Sequence, residues 1–470
     1  MKNTTKKNQN MTAPRQWKPL KSLLCLCLAA SLLLALPAPS QATFTYDDER
    51  RVGKELYDKI KEAGLLLTDD PLVDYVNEIG ERLIRQDNRY PLDFTFSVIQ
   101  SSGINAFATP GGYVYVFTGL VKLAENESQL AGVLAHEIAH VKARHIAQMI
   151  AKSKRLGVAS LAAVLAGALI GGGDAAAALA GLTSAASATM TLKYSREHEE
   201  EADRLGMAYL VGSGYLGRSM LDFLRIMQFN QFYSTAVPSY FLTHPQTSDR
   251  IRYLTLLLET RYRQDGETEI FGGFDRHKTR LYLKRQSPRD NLRYFAERIR
   301  QNPKDLEAHY GLAVSESKTG QFDAAAESFT RALELKPGDI EMIRAFGISF
   351  FERGDIPNAL EQLGKARSLG ARDRDTLFYL GKSYEMEGNY SAALDMFSTI
   401  NEINPDDSEI YYNLAMMYGK TGDLGESHYY FGKYFKKTGK PSSAQFHFKT
   451  ALDHVPPESP RAGDIRKEMA

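Results

Sequence analysis

The chain has 470 residues, 43% hydrophobic and 24% charged, with a formal charge of +1. That balance is ordinary for a soluble globular protein with room for two or three domains, and no basic stripe points to nucleic acid. Both cysteines, Cys25 and Cys27, fall near the start, so the remainder depends on no disulfide and offers no thiol nucleophile.

Lys2, Lys6, Lys7, Arg15, Lys18 and Lys21 precede an apolar run from Leu23 to Leu36, and Ser40-Gln41-Ala42 places small residues at −3 and −1 of a cut. Residues 1–42 therefore read as a secretory signal peptide. The alternative is a retained anchor, for which the run is short. Cleavage removes six basic residues and no acidic one, taking the formal charge from +1 to −5. The destination is then exported and oxidising, although the remaining chain holds no cysteine.

A helical pattern runs from about Asp47 to Arg85. Phe94 to Gln100 reads as a strand, and Asn105 to Phe117 carries a Pro-Gly-Gly turn followed by a second β run. An edge strand here can pair with an extended peptide; equally, the hairpin can simply cover the core. Asn126 and Gln129 resemble a capping box opening the next helix, which carries His136-Glu137-Ile138-Ala139-His140. Residues 156–173 carry no charge and 175–190 are Ala-rich, with Gly171-Gly172-Gly173-Asp174 between them. Their halves are short and rich in Ala and Gly, which favours a mobile helical hairpin over the cleft rather than two membrane spans. Such a hairpin can also touch a membrane surface.

Ser195 to Leu210 is dense in charge and helical in pattern. At 100° per residue, Glu199 and Asp203 share a stripe with Ala202, Gly206 and Leu210, while Glu200, Glu201 and Arg204 point away. Carboxylates on an apolar face are costly unless paired or bound to metal. Residues 43–262 form one unit on this reading and 263–288 a linker. Beyond it Gly320, Gly354, Gly388 and Gly422 recur every 34 residues, the tetratricopeptide period. Ala325, Ala359 and Ala393, and Phe329, Leu363, Phe397 and Phe431, keep the same register, so residues 289–456 are expected to stack as a solenoid. Ser427 replaces the fourth alanine. Residues 439–452 look like a closing helix, and 457–470 are left as a tail. The fold expected is mainly α: a zincin-type domain with a small β-sheet, then an α-solenoid.

The chemistry follows from spacing. Residues four apart on a helix share a face, so His136 and His140 can aim both imidazoles at one ion with Glu137 beside it as general base. A third protein ligand leaves one corner open for water and makes such a site catalytic. Glu199 fits that role best, with Glu201 as rival, and Asp203 can accept the free N–H of a ligand histidine. His244, in Thr243-His244-Pro245, can be a fourth ligand, an oxyanion donor or a loop histidine braced by proline. His145, His198, His277, His309, His428, His447 and His454 show no convergent partners and read as surface or packing residues. There is no G-x-S-x-G elbow and no phosphate-binding glycine loop.

NAFATPGGYVYVFTGL, HEIAH, SREHEEEAD and THPQTSDRI, in that order, resemble the metallopeptidases that include the CAAX prenyl endopeptidases and the HtpX-type bacterial proteases. The resemblance implies one zinc ion per chain held by His136, His140 and Glu199, Glu137 as catalytic base and Asp203 as an active-site acid. With a signal peptide and tetratricopeptide repeats, it further implies a periplasmic member acting on unfolded or misassembled outer-membrane proteins. Clients would be recruited by the repeats, with the β-barrel assembly machinery as partner. Lacking convincing transmembrane helices, the chain does not suit a prenylated membrane substrate. A reading from another class makes the protein mainly a chaperone or scaffold, its cleft normally closed by the Ala/Gly hairpin or by His244.

Overall fold

The computed structural model describes residues 44–86, 91–152, 194–233, 240–245, 248–262 and 266–469. The expected signal peptide and the hairpin expected over 156–190 lie outside them. The helical stretch expected over 47–85 is two helices, α1 (Tyr46–Glu62) and α2 (Pro71–Ile84). Gly64, left-handed at φ 67°, lets the chain leave α1. Asp70 accepts from Leu72 N at 3.0 Å, and Pro71 at the first turn starts α2. Between them the chain runs extended beside the sheet, with Leu67 N donating to Val98 O at 2.8 Å and Gln100 N to Leu65 O at 2.9 Å.

Strands β1 (Thr95–Ile99), β2 (Ala106–Thr109) and β3 (Tyr113–Phe117) form a sheet in the order β1-β3-β2. β3 is parallel to β1 and antiparallel to β2, the hairpin turning at Gly111 and Gly112, both at positive φ. The sheet is buried on both sides because its side chains alternate. Val114 and Val116 enter the main core with α2, whereas Tyr115 and Phe117 meet Val52 and Leu56 of α1. Among the described residues β2 pairs only with β3, so it is an edge.

After α3 (Thr118–Leu123) comes α4 (Glu127–Lys142), buried from its first residue through Val141. Asn126 accepts from Gln129 N at 3.0 Å, but Gln129 Oε1 accepts from Glu125 N at 2.8 Å. The capping box is thus displaced by one residue. Then follow α5 (His145–Lys152), α6 (Arg196–Gly212), α7 (Arg218–Tyr233), α8 (Tyr240–Thr243) and α9 (Ser248–Thr260). α6 lies directly against α4: a Cβ on Gly206 would stand 3.0 Å from His136 N and 3.1 Å from Ala135 O. Glycine permits that approach without a shift of either helix, and it sets the depth at which α6 presents its acids.

The stretch expected as a linker holds α10 (Phe274–Arg285), whose Phe274 and Leu281 are buried in the main core. The helices α11 (Pro288–Gln301), α12 (Leu306–Lys318), α13 (Phe322–Leu335), α14 (Ile340–Arg353), α15 (Ile356–Ser368), α16 (Arg374–Met386) and α17 (Tyr390–Ile403) follow, then α18 (Ser408–Thr421), α19 (Leu424–Lys437), α20 (Pro441–Asp453) and α21 (Pro460–Met469). The glycines recurring every 34 residues have φ between 77° and 89° and end α12, α14, α16 and α18, turning each helix into its partner. Ala325, Ala359 and Ala393 are fully buried beside Phe329, Leu363 and Phe397. Ser427 is buried too, donating to Ala415 O at 2.8 Å, so its hydroxyl is satisfied where alanine was expected. The segment set apart as a tail is α21, which buries Ala462 and Ile465.

α10 also fastens the two halves. Arg276 reaches Glu307 (2.7 Å), Asp339 (2.9 Å) and Glu341 (3.0 Å), on or beside α12 and α14, and Arg280 shares Glu341. Among the described residues no helix is long and apolar enough to cross a membrane.

Candidate metal centre

α4 presents His136 and His140 to the groove between α6 and α8, and their Nε2 atoms stand 3.0 Å apart. From α6, Glu199 brings Oε2 within 3.6 Å of His136 Nε2 and Oε1 within 3.4 Å of His140 Nε2. His244 follows α8. Its Nδ1 lies 3.4 Å from His136 Nε2 and 3.0 Å from Glu199 Oε1. All four residues are buried, and one donor atom from each lies within 4.8 Å of the others. Ligand atoms around a tetrahedral zinc are about 3.3 Å apart, so the spacing suits one small cation.

Charge and hydrogen bonding agree with that spacing. Among the described residues, both carboxylate oxygens of Glu137 are fully buried with no hydrogen-bond partner, and so is His244 Nε2, which stands 3.5 Å from Glu137 Oε1. Buried polar atoms left so are costly unless something else satisfies them. Glu199 and Asp203 share one guanidinium, that of Arg250. Arg250 grips both oxygens of Asp203, at 2.8 and 2.7 Å, and reaches Glu199 Oε2 at 2.5 Å. The residues therefore fit a metal, and two imidazoles with a carboxylate suit zinc among others.

Burial alone would depress the His136 imidazolium, but its contacts with Asp203 and Glu199 raise its pKa to about 9. Burial pushes the Glu137 carboxyl up, opposed by His244 and His136. It drives His140 well below the usual histidine range. Glu199 and Asp203 are held low despite burial, Arg250 being the main cause for both. A cation bound here would compete with protons for the same imidazole nitrogens.

The structure thus brings His136, Glu137, His140, Glu199, Asp203 and His244 together. Asp203 Oδ1 lies 3.0 Å from His136 Nδ1. Glu201, the alternative to Glu199, lies away from the cluster with a half-exposed side chain. Four further residues stand at the site without a role expected from the sequence. Arg250 lies in the THPQTSDRI motif, but its partners on α6 are distant in sequence. Tyr194 stacks on His140 with ring centroids 3.8 Å apart, and Tyr240 on His244 at 4.4 Å. His145, read as lacking convergent partners, is fully buried with its Nδ1 2.9 Å from His140 Nδ1. Periodicity could not find it, because the chain kinks between the two residues.

Residues 73–257 match the model of peptidase family M48, and residues 279–340, 344–408 and 396–429 match tetratricopeptide repeat models. A relative from Vibrio cholerae is 36% identical over 50% of this chain and 51% of its own. Two others, from Yersinia pestis and from Escherichia coli (strain K12), are each named beta-barrel assembly-enhancing protease. They are 33% identical over 47% of this chain and 46% of theirs, and 30% identical over 50% and 52%. The chain spans about half the length of the curated relatives it matches.

Proposed function

From a chain that carries a peptidase family M48 domain ahead of tetratricopeptide repeats, we propose a periplasmic zinc-dependent endopeptidase that cuts extended segments of misassembled outer-membrane proteins. The observation that carries it is the convergence of His136, His140 and Glu199 on one small buried volume with Glu137 beside it. A zinc ion there supplies Lewis acidity toward a peptide carbonyl and water. Glu137, its carboxylate free of hydrogen bonds, takes the proton of the attacking water and returns it to the leaving amine. Asp203, itself clamped by Arg250, holds the Nδ1 proton of His136 so that Nε2 faces the ion. The edge of β2 can pair with an extended peptide, which aligns a scissile bond and disfavours folded substrates. Client recruitment by the repeats and contact with the β-barrel assembly machinery are part of this reading, supported by the solenoid and by relatives named for β-barrel assembly.

The test is cleavage of casein or an unfolded outer-membrane protein by the purified, zinc-loaded protein. We expect Glu137→Gln to keep the metal and lose cleavage by about 10²-fold or more. Undiminished cleavage would remove Glu137 as the base.

A second reading has the protein act mainly as a scaffold with a closed site, and His244 favours it. Its Nδ1 stands 3.4 Å from His136 Nε2 and 3.0 Å from Glu199 Oε1, where it would compete with water for a bound ion. His244→Ala then raises cleavage if the ring closes the site, and lowers it if the ring helps the reaction. Restored outer-membrane assembly in cells carrying Glu137→Gln would make scaffolding the main role.

A further inference from the structure

We propose that His145 is a positioning residue for the metal centre, holding the ring of His140 through a histidine-to-carboxylate chain that ends at Glu201. This rests on the reading of His140 as a metal ligand. Its Nε2 faces the cluster, so its ring proton must sit on Nδ1 and needs an acceptor there. The atom opposite is His145 Nδ1, at 2.9 Å. His145 then keeps its own proton on Nε2, which lies 3.2 Å from Glu201 Oε2. Two buried imidazoles are thereby fixed in one tautomer each, and the chain ends on a carboxylate whose side chain is 47% exposed, where its charge stays solvated.

The backbone is shaped for this contact. On an unbroken helix, residue 145 would lie five positions beyond His140 and well round from it. Arg144 has a left-handed φ of 57°, which ends α4 and swings the chain back. Its side chain is tied down by Glu49 Oε1 at 2.6 Å and Phe44 O at 2.7 Å, so the kink is fastened independently of the site. His145 next stacks on His198, with ring centroids 4.4 Å apart. Each ring of the His136–His140 pair thus has its own outer support: Asp203 with Arg250 for the first, His145 with Glu201 for the second. The acidic residue that rivalled Glu199 acquires a role two hydrogen bonds beyond the ligand His140.

Zinc affinity of the full protein, by competition with a chelator, separates this role from packing. Losing such an outer partner typically costs about 10–100-fold in metal affinity. His145→Phe fills the space without an acceptor and should weaken zinc binding by about that factor. His145→Asn restores an acceptor oxygen near the Nδ1 position and should bind close to the parent value. Glu201→Gln should fall between them, and His198→Ala, which removes the ring stacked on His145 but no atom of the proposed chain, should change little. Circular dichroism of each metal-free variant checks folding, and the Asn and Gln variants keep the comparison open if Phe is not accommodated. If His145→Phe binds zinc as tightly as the parent, or if Asn and Phe weaken it equally, the acceptor role is wrong. A parent protein that binds no zinc would instead overturn the proposed function.

Discussion

Glu127 is fully buried at the first turn of α4, yet its carboxylate is surrounded by donors. It accepts from the hydroxyls of Tyr75 and Tyr215, each at 2.7 Å, and from the amides of Ile270 (3.1 Å), Phe271 (3.2 Å) and Gly272 (3.2 Å). The helix N-terminus favours a negative charge at that place as well. Removing the carboxylate leaves two hydroxyls and three amides unpaired, each costing about 1–3 kcal/mol where water cannot enter. Glu127→Ala should therefore lower the unfolding free energy by at least about 3 kcal/mol in a urea titration, with Glu127→Gln intermediate; a loss under about 1 kcal/mol would mean that water replaces the acceptor. Side chains of this kind were unreadable from the sequence, because donors and acceptor lie up to 145 positions apart. His136, Glu137 and His140 were readable because helical spacing alone puts them together, and the pairing of Glu199 with Asp203 was readable from the same period. Arg250 and His145 depend on chain reversals that no local pattern encodes.

Among the elements, the approach of α6 to α4 matters most to the site, since it decides whether Glu199 reaches the two imidazoles. Gly206 permits that approach, and its neighbours at 3.0–3.1 Å are backbone atoms that cannot rotate away. Gly206→Ala must push the helices apart by a few tenths of an ångström, at a cost of about 1–3 kcal/mol. We expect weaker zinc binding along with the lower stability, whereas a surface change such as Arg204→Ala should alter neither. Chelator competition and thermal unfolding on the same samples would show it, and unchanged zinc affinity would mean that α4 and α6 shift without opening the cluster. The solenoid was legible element by element, because each turn glycine, crossing alanine and buried aromatic repeats at a fixed interval. The break between α1 and α2 was not. Gly64 marks it, but the extended residues after Gly64 gain their place by pairing with β1, a contact made across some thirty positions.

At the scale of the whole molecule, α10 joins the peptidase-family region to the repeats, and its two sides respond differently to acid. His277 stacks on Tyr75 with ring centroids 4.4 Å apart, and its buried Nδ1 has no hydrogen-bond partner. Burial, with help from Arg280, lowers its pKa to about 4. In the unfolded chain it titrates near 6.5, so below that the unfolded state binds more protons than the folded state. The joint therefore keeps its full stability above about pH 6.5 and loses it progressively as the pH falls toward 4. On the repeat side, burial would raise the Glu341 carboxyl, but Arg280 and Arg276 hold it at about 2. Its contribution is complete above about pH 4.5 and is lost only as the pH falls through 4.5 toward 2, so between pH 6.5 and 4.5 it adds nothing to the loss from the histidine. A fall from 6.5 to about 4 makes the full histidine effect about 3 kcal/mol. His277→Phe keeps an aromatic ring against Tyr75 and removes the titration. Thermal unfolding at pH 7.5 and at pH 5 should show a smaller loss for the variant than for the parent, because the other histidines titrate in both. Equal losses would place the acid sensitivity elsewhere, and the stack of His277 on Tyr75 would then be packing alone.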